Sequence, residues 1–257
     1  MKISVIVSPA VVEELYFTGK NTVVIDVLRA TSSMVYALMN GAKEIVPVGS
    51  FEYAMKASST IFGGQTLLAG ERNTKKIDGF NLGNSPHEFG QAVVSGKGIV
   101  LFTTNGTKAI VKAKYSSNIF IASFLNLNAV AAHLLSLNDS VDILCSGRNG
   151  RLSLEDTVCA GKLIQLITAS GVEAELDDSA VMAVALAKAQ GKNLKKMMLS
   201  SDHGKILIEN GFADDITLCA KTNITDIVPV FTNGAIKPLQ REPVAAETEA
   251  NENVEQV

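Results

Sequence analysis

The sequence predicts an α/β protein, a three-layer α/β/α arrangement on a mostly parallel sheet with a helical insertion toward the carboxyl terminus. Three observations predict it. Apolar strand-like runs alternate with helical segments from residue 2 to residue 168. Several of those runs, such as 22–27, show no polar alternation, as strands buried on both faces do. From 177 to 220 helical patterns follow one another without a strand between them.

Taken in order, residues 2–7 read as a strand and 22–27 as a stronger one, rich in β-branched residues. A helix over 31–39 ends at Asn40-Gly41, the composition of a carboxyl-terminal cap. A strand at 43–48, a helix at 51–60, the Gly63-Gly64 break and a strand at 66–70 come next. Residues 71–86 are polar, glycine-containing and aperiodic, and a loop of that length inside a compact domain is usually functional. A helix near 86–94, a strand at 98–102, a helix at 107–114 and a strand at 119–122 continue the alternation. So do a helix at 127–137, a strand at 141–145 and an amphipathic helix at 154–168. Helices at 177–190, 194–199, 202–209 and 212–220 make up the insertion, placed to cap a site, and 227–231 reads as the last strand.

The chain has 257 residues, enough for one large domain or two intimate subdomains over 1–239. Its charged fraction is 19% and its net charge −3, with no basic excess to suggest nucleic acid as a partner. The segment 240–257 carries five glutamates against one arginine, and is expected to be a disordered acidic tail. Without it the rest of the chain is slightly positive, which suits a small anionic substrate. Cys145, Cys159 and Cys219 have no metal-binding or disulfide spacing and read as buried reduced thiols. No run is long enough for a membrane span, and the start of the chain does not resemble a signal peptide, so a cytoplasmic protein is expected.

Chemistry concentrates where strands end. The strand at 22–25 runs into Asp26, Arg29, Thr31 and Ser32; that at 66–70 into Glu71, Arg72 and Asn73; that at 98–102 into Thr103, Thr104, Asn105, Gly106 and Thr107. The strand at 141–145 ends in Ser146, Gly147, Arg148, Asn149 and Gly150, with Glu155 and Asp156 close behind. In a parallel sheet such tips share one edge, where these folds bind ligands, and helix-start N–H groups favour an anion there. Asp26 can bind a cation or attack phosphorus, and Arg29 offers a forked partner for phosphate or carboxylate oxygens. An N-cap with an Asp26–Arg29 ion pair is the structural alternative. Leu28 stands where haloacid-dehalogenase phosphatases need a second acid. Asn81, Asn84 and Ser85 sit in the long loop, where Asn84-Ser85-Pro86 also reads as a helix cap. Asp202-His203-Gly204 opens a late helix, and His203 reads as a neighbour of its cap.

In combination these segments resemble the 2-phosphosulfolactate phosphatase (ComB) family. The match is carried by Val24-Ile25-Asp26-Val27-Leu28-Arg29-Ala30-Thr31-Ser32, Ala69-Gly70-Glu71-Arg72 and Gly79-Phe80-Asn81-Leu82-Gly83-Asn84-Ser85-Pro86. It continues through Thr103-Thr104-Asn105-Gly106-Thr107, Cys145-Ser146-Gly147, Leu154-Glu155-Asp156 and Asp202-His203-Gly204, in this order up to about Pro238. The resemblance implies a Mg²⁺-dependent phosphatase acting on phosphate esters of 2-hydroxycarboxylic acids; in coenzyme M synthesis the family's substrate is 2-phospho-3-sulfolactate.

The resulting expectation is a phosphoric monoester hydrolase. Asp26, Glu71 and one of Glu155 or Asp156 would hold Mg²⁺, a cation that demands oxygen ligands. Arg29 or Arg72 would neutralise the phosphoryl oxygens, and Arg148 would receive the substrate's carboxylate or sulfonate. Thr31, Ser32, Asn81, Asn84, Ser85, Thr103, Thr104, Asn105, Gly106, Ser146 and Gly147 are the expected substrate-binding residues. Water or Asp26 would be the nucleophile, with metal-activated water preferred. The partner is a small anionic phosphate ester, and a homodimer is compatible with the chain. A non-catalytic small-anion sensor on the same scaffold is the alternative, and a phosphosugar isomerase or lyase would need a general base that the sequence does not supply.

Overall fold

The architecture follows from a computed structural model that describes residues 1–60 and 66–240. The Gly63-Gly64 break and the acidic segment from Arg241 onward lie outside the described residues. The strands are β1 (Lys2–Ile6), β2 (Asn21–Ile25), β3 (Glu44–Val48), β4 (Thr66–Arg72), β5 (Lys75–Lys76) and β6 (Gly98–Phe102). They continue with β7 (Asn118–Ala122), β8 (Val141–Cys145), β9 (Glu175–Leu176), β10 (Pro229–Thr232) and β11 (Ala235–Pro238). The helices are α1 (Ala30–Met39), α2 (Phe51–Thr60), α3 (Gln91–Val94), α4 (Gly106–Lys112) and α5 (Leu127–Leu137). After them come α6 (Leu154–Ala169), α7 (Asp178–Gln190), α8 (Leu194–Ser200), α9 (Asp202–Glu209) and α10 (Ala213–Cys219).

The strands form one mostly parallel sheet in the order β5-β4-β6-β3-β11-β10-β7-β2-β8-β1-β9. Its three layers can be read from strand periodicity, because successive side chains point to opposite faces. On one face Ile99 and Leu101 of β6, Val24 of β2 and Ile121 of β7 share a core with Met34 of α1 and Ile110 of α4. On the other, Val23 and Ile25 of β2 and Ile143 of β8 pack with α5, α6 and α7 through Val130, Leu163 and Ala183. Val100 and Phe102 of β6 face a smaller cluster with Ala54 of α2. The uninterrupted apolar runs are uniformly buried in β2, β6 and β8, as their lack of alternation requires.

One expectation is corrected. The strand tips do not lie along the edge of a single parallel run. The last strand belongs to a hairpin, with Asn233 and Gly234 at φ 50° and 82° between β10 and β11, and the Asn-Gly pair is its sequence signal. Both arms are also antiparallel to their outer neighbours, β7 and β3. The block β4-β6-β3 therefore runs opposite to the block β7-β2-β8-β1-β9. The carboxyl tips of both blocks nevertheless line one pocket, to which β2, β4, β6 and β8 contribute Asp26, Glu71, Thr103 and Arg148.

Smaller differences have local causes. The expected helix near 86–94 is split at Gly90 into a 3₁₀ turn, Pro86–Phe89, and the short α3. Inside the expected long loop, β5 folds back on β4 through a tight turn. The helical insertion matches the expected spans closely, and α9 brings His203 to the pocket.

Candidate active site

A cavity of about 120 Å³ lies where the two blocks meet, and its walls include Asp26, Arg29, Glu71, Thr74, Asn84, Thr104 and His203. Leu28, Asn73, Thr103, Asn105, Arg148 and Asn149 complete it.

Asp26 follows the buried strand β2, and the chain turns at once into α1. Thr31 fixes that turn: its Oγ1 accepts from the Asp26 N–H at 3.0 Å and donates to the Asp26 carbonyl at 2.9 Å. The Ala30 N–H donates to Asp26 Oδ1 at 3.2 Å. Burial pushes the Asp26 carboxyl above the usual carboxylate range, and the neighbouring Glu71 charge adds to this, while His203 and the Ser146 hydroxyl act against it. The approach of α4 to this carboxylate requires glycine at 106, since a Cβ there would stand 2.7 Å from Asp26 Oδ2.

Glu71 ends β4 and organises the turn beyond it. Its Oε2 accepts from the Thr74 N–H at 2.9 Å and its Oε1 from the Thr104 N–H at 2.7 Å, tying the tips of β4 and β6 together. Asn73 and Thr74 both have positive φ, 53° and 70°. Asparagine tolerates this conformation, whereas a β-branched threonine does so only under strain. The strained turn places the Thr74 carbonyl 2.6 Å from Arg29 Nη2. It also leaves Thr74 Oγ1, like Asn84 Oδ1 across the pocket, buried without a hydrogen-bond partner.

Arg29 is buried and paired, though not with Asp26. Its Nη1 lies 2.7 Å from Asp215 Oδ2, its guanidinium stacks 4.2 Å from the centre of the Phe212 ring, and Ser85 Oγ donates to the other Asp215 oxygen at 2.6 Å. The helical insertion thus supplies the counter-charge for the β2 tip.

The remaining carboxylates lie behind this layer. Asp156 accepts from the Val27 N–H at 2.8 Å and from the Ser146 hydroxyl and Gly147 N–H, both at 3.2 Å. Burial, followed by the charges of Asp26 and Glu155, raises its carboxyl well above the usual range. Burial also pushes the Glu155 carboxyl up, but the hydrogen bond and charge of His203 outweigh it, and the net direction is down. Glu155 Oε1 lies 3.6 Å from His203 Nδ1. It faces a second cavity and does not line the first.

The pocket thus brings together Asp26, Arg29, Glu71, Asn84, Thr103, Thr104, Asn105 and Arg148 from the expected set. Gly106, Ser146, Gly147, Thr31 and Ser85 support its walls through the contacts just described. Ser32 Oγ bonds the Val27 carbonyl within the α1 turn. Arg72 is exposed beside the turn and is not a pocket residue, and Asn81 accepts from the Leu68 N–H away from it. Four expected carboxylates do not form one ligand set: Asp26 and Glu71 face the cavity, while Glu155 and Asp156 serve His203 and the β2 tip. Among the described residues, no three Asp, Glu, His or Cys side chains converge as metal ligands. Mg²⁺ needs no such cluster, because it uses one or two carboxylates and fills its shell with waters and phosphate oxygens. The pocket fits that pattern. The orphaned Asn84 Oδ1 is an acceptor only, so beside two carboxylates it suits a cation or its waters better than a phosphate oxygen.

Thr74 and Asp215 are not marked by the sequence, whereas Asn73, Asn149 and His203 stand in its strand-tip and late-helix segments with no role of their own expected. The strained turn at 73–74 and the late partner of Arg29 have no local signature.

The sequence has relatives of consistent description. A family model described as 2-phosphosulpholactate phosphatase matches residues 7–234. A protein of Clostridium perfringens named probable 2-phosphosulfolactate phosphatase is 38% identical over 242 residues, covering 93% of this chain and 97% of the relative. Proteins of the same name from Clostridium acetobutylicum and Thermotoga maritima are 39% and 42% identical, covering 92% and 84% of this chain and 100% and 90% of theirs. With nearly its whole described length matched and its strand-tip motifs gathered in one pocket, this chain belongs to the 2-phosphosulpholactate phosphatase family.

Proposed function

We propose that the protein is a Mg²⁺-dependent phosphatase that converts 2-phospho-3-sulfolactate to sulfolactate and inorganic phosphate. The observation that carries this reading is the pairing of two carboxylates, Asp26 and Glu71, with a buried guanidinium, Arg29, around one small polar cavity. Carboxylates alone would repel a phosphate ester and a guanidinium alone would only bind it. Together they supply a cation site and an anion site side by side.

Asp26 and Glu71 would hold the metal, with Asn84 Oδ1 and Thr74 Oγ1 available to its waters. When bound, Mg²⁺ supplies charge neutralisation and polarisation of water for attack on phosphorus. Arg29 is held rigidly by Asp215 and the Thr74 carbonyl, so its remaining N–H groups meet the phosphoryl oxygens without reorganisation, the condition under which electrostatic stabilisation is strongest. His203, oriented by Glu155, donates a proton to the departing alkoxide oxygen. Hydrolysis by a water leaves Asp26 unmodified. The buried, reduced cysteines fit a cytoplasmic protein.

Release of inorganic phosphate from 2-phospho-3-sulfolactate, measured with Mg²⁺ and with a chelator, tests the reading. Turnover that a chelator abolishes and Mg²⁺ restores is expected. Binding without turnover under both conditions would contradict it and favour an anion sensor.

A further inference from the structure

Beside the small pocket lies a cavity of about 630 Å³ that shares Arg148, Asn149 and His203 with it. Its wall also contains Arg151, which has no part in the chemistry described above. The two arginines are joined by an unusual local geometry. The Arg148 N–H donates to the Arg151 carbonyl and the Arg151 N–H to the Arg148 carbonyl, each at 2.9 Å. Between them Asn149 and Gly150 both have positive φ, 51° and 74°. This is a two-residue hairpin turn of the primed type. Residues paired directly across such a turn are about 5.5 Å apart at Cα and project their side chains to the same face.

Like charges placed directly opposite one another destabilise such a pair. Nearby protein groups do not relieve the repulsion: among the described residues, neither Arg148 nor Arg151 has an ion-pair partner. Of the two carboxylates in the same cavity, Glu155 lies beside His203, and Asp202 points into solvent, 3.9 Å from an exposed Lys205. Gly147, immediately before the turn, is also fixed. It has φ 61°, and a Cβ there would collide with the Arg151 carbonyl. The backbone is therefore committed to presenting two unpaired guanidinium groups to a cavity that opens from the phosphate pocket.

We propose that Arg148 and Arg151 act together as a clamp for the anionic end of the leaving alcohol, and so set the preference for esters whose hydroxy acid carries a second acid group. This rests on the phosphatase reading above. A phosphate seated against Asp26, Glu71 and Arg29 leaves the rest of the ester at the wall shared by the two cavities, where Arg148 stands. A sulfonate or carboxylate beyond it meets Arg151. Forked guanidinium donors match the paired oxygens of either group, and the anion removes the repulsion within the clamp.

The test compares 2-phospho-3-sulfolactate with 2-phospholactate, which lacks the second acid, in the wild type, Arg151→Gln and Arg151→Lys. Arg151→Gln is expected to lower the ratio of kcat/KM for the diacid over the monoacid about tenfold, chiefly through KM. Arg151→Lys should restore only part of it, because a point charge does not reproduce the fork. Calorimetric binding of sulfolactate and of lactate gives a readout independent of turnover. If the wild type hydrolyses neither ester, the phosphatase reading fails. The clamp then stands if Arg151→Gln weakens sulfolactate binding selectively, and falls if it does not. An equal loss for both substrates, or a ratio unchanged within about twofold, also overturns the clamp.

Discussion

The buried Arg29–Asp215 pair gives the most demanding test of how the helical insertion serves the pocket. Both side chains are almost fully buried, 2% and 3% exposed, with 2.7 Å between Nη1 and Oδ2. Replacing Asp215 with leucine leaves the Arg29 charge buried and removes the acceptor of the Ser85 hydroxyl. Breaking a buried pair from one side costs about 3–5 kcal/mol. For a chain of this size, about 2–4 °C of thermal midpoint accompanies each kcal/mol, so a fall of roughly 6–20 °C is expected. Replacing both partners, Arg29→Met with Asp215→Leu, removes the stranded charge and should recover much of that loss. Turnover should not return, because Arg29 is also the proposed phosphate ligand. Thermal unfolding followed by circular dichroism, with phosphate release measured on the same samples, separates the two effects. A double variant that regains both stability and turnover would refute the argument, since Arg29 would then serve packing alone. A single Asp215→Leu variant with an unchanged midpoint would refute the premise.

Further expectations follow from neighbouring contacts. Gly106→Ala forces a Cβ against Asp26 Oδ2 and the Ala30 methyl; a stability loss of about 1–3 kcal/mol and a fall in kcat are expected, and a variant with wild-type kcat would show that the carboxylate has room to spare. Cys145, Cys159 and Cys219 are buried with their thiols pushed up, Cys219 to about 12, chiefly by burial; iodoacetamide at neutral pH should leave the folded protein unlabelled and active, whereas inactivation would point to a thiol mechanism. The raised Asp156 carboxyl binds its proton more tightly in the folded than in the unfolded chain. Its contribution to stability is therefore complete below the ordinary carboxylate pKa and is lost as pH rises through the raised value. Without divalent cations, Asp156→Asn should flatten the decline of thermal midpoint with rising pH, and an unaltered profile would remove Asp156 as its source.

How much of this was legible in the sequence depends on the range of the interactions. The buried strands β2, β6 and β8 announce themselves because burial on both faces leaves no polar position in the run. Helices α7 to α9 carry caps at Asp177, Asn193 and Ser201 that the sequence displays. The tip residues Asp26, Glu71 and Thr104 were legible because polar groups directly after a buried strand mark the ligand edge of such folds. Sheet order was not, because the reversal made by the β10–β11 hairpin is a tertiary pairing. Nor was the division of labour among the carboxylates. Asp156 and Glu155 are adjacent on α6, yet about 100° of helix rotation sends one to the β2 tip and the other to His203. The Arg29–Asp215 pair spans 186 positions, and no local pattern connects its members.

The proposed phosphatase activity makes Asp26 indispensable to hydrolysis at the meeting point of the two strand blocks. The measurement that addresses it most directly is kcat for inorganic phosphate release from 2-phospho-3-sulfolactate with saturating Mg²⁺, comparing Asp26→Asn with the wild type. The neutral amide keeps the size of the side chain while losing its charge. We expect a folded variant with kcat lower by at least about a thousandfold. A folded Asp26→Asn protein that retains kcat within about tenfold of wild type would contradict the account.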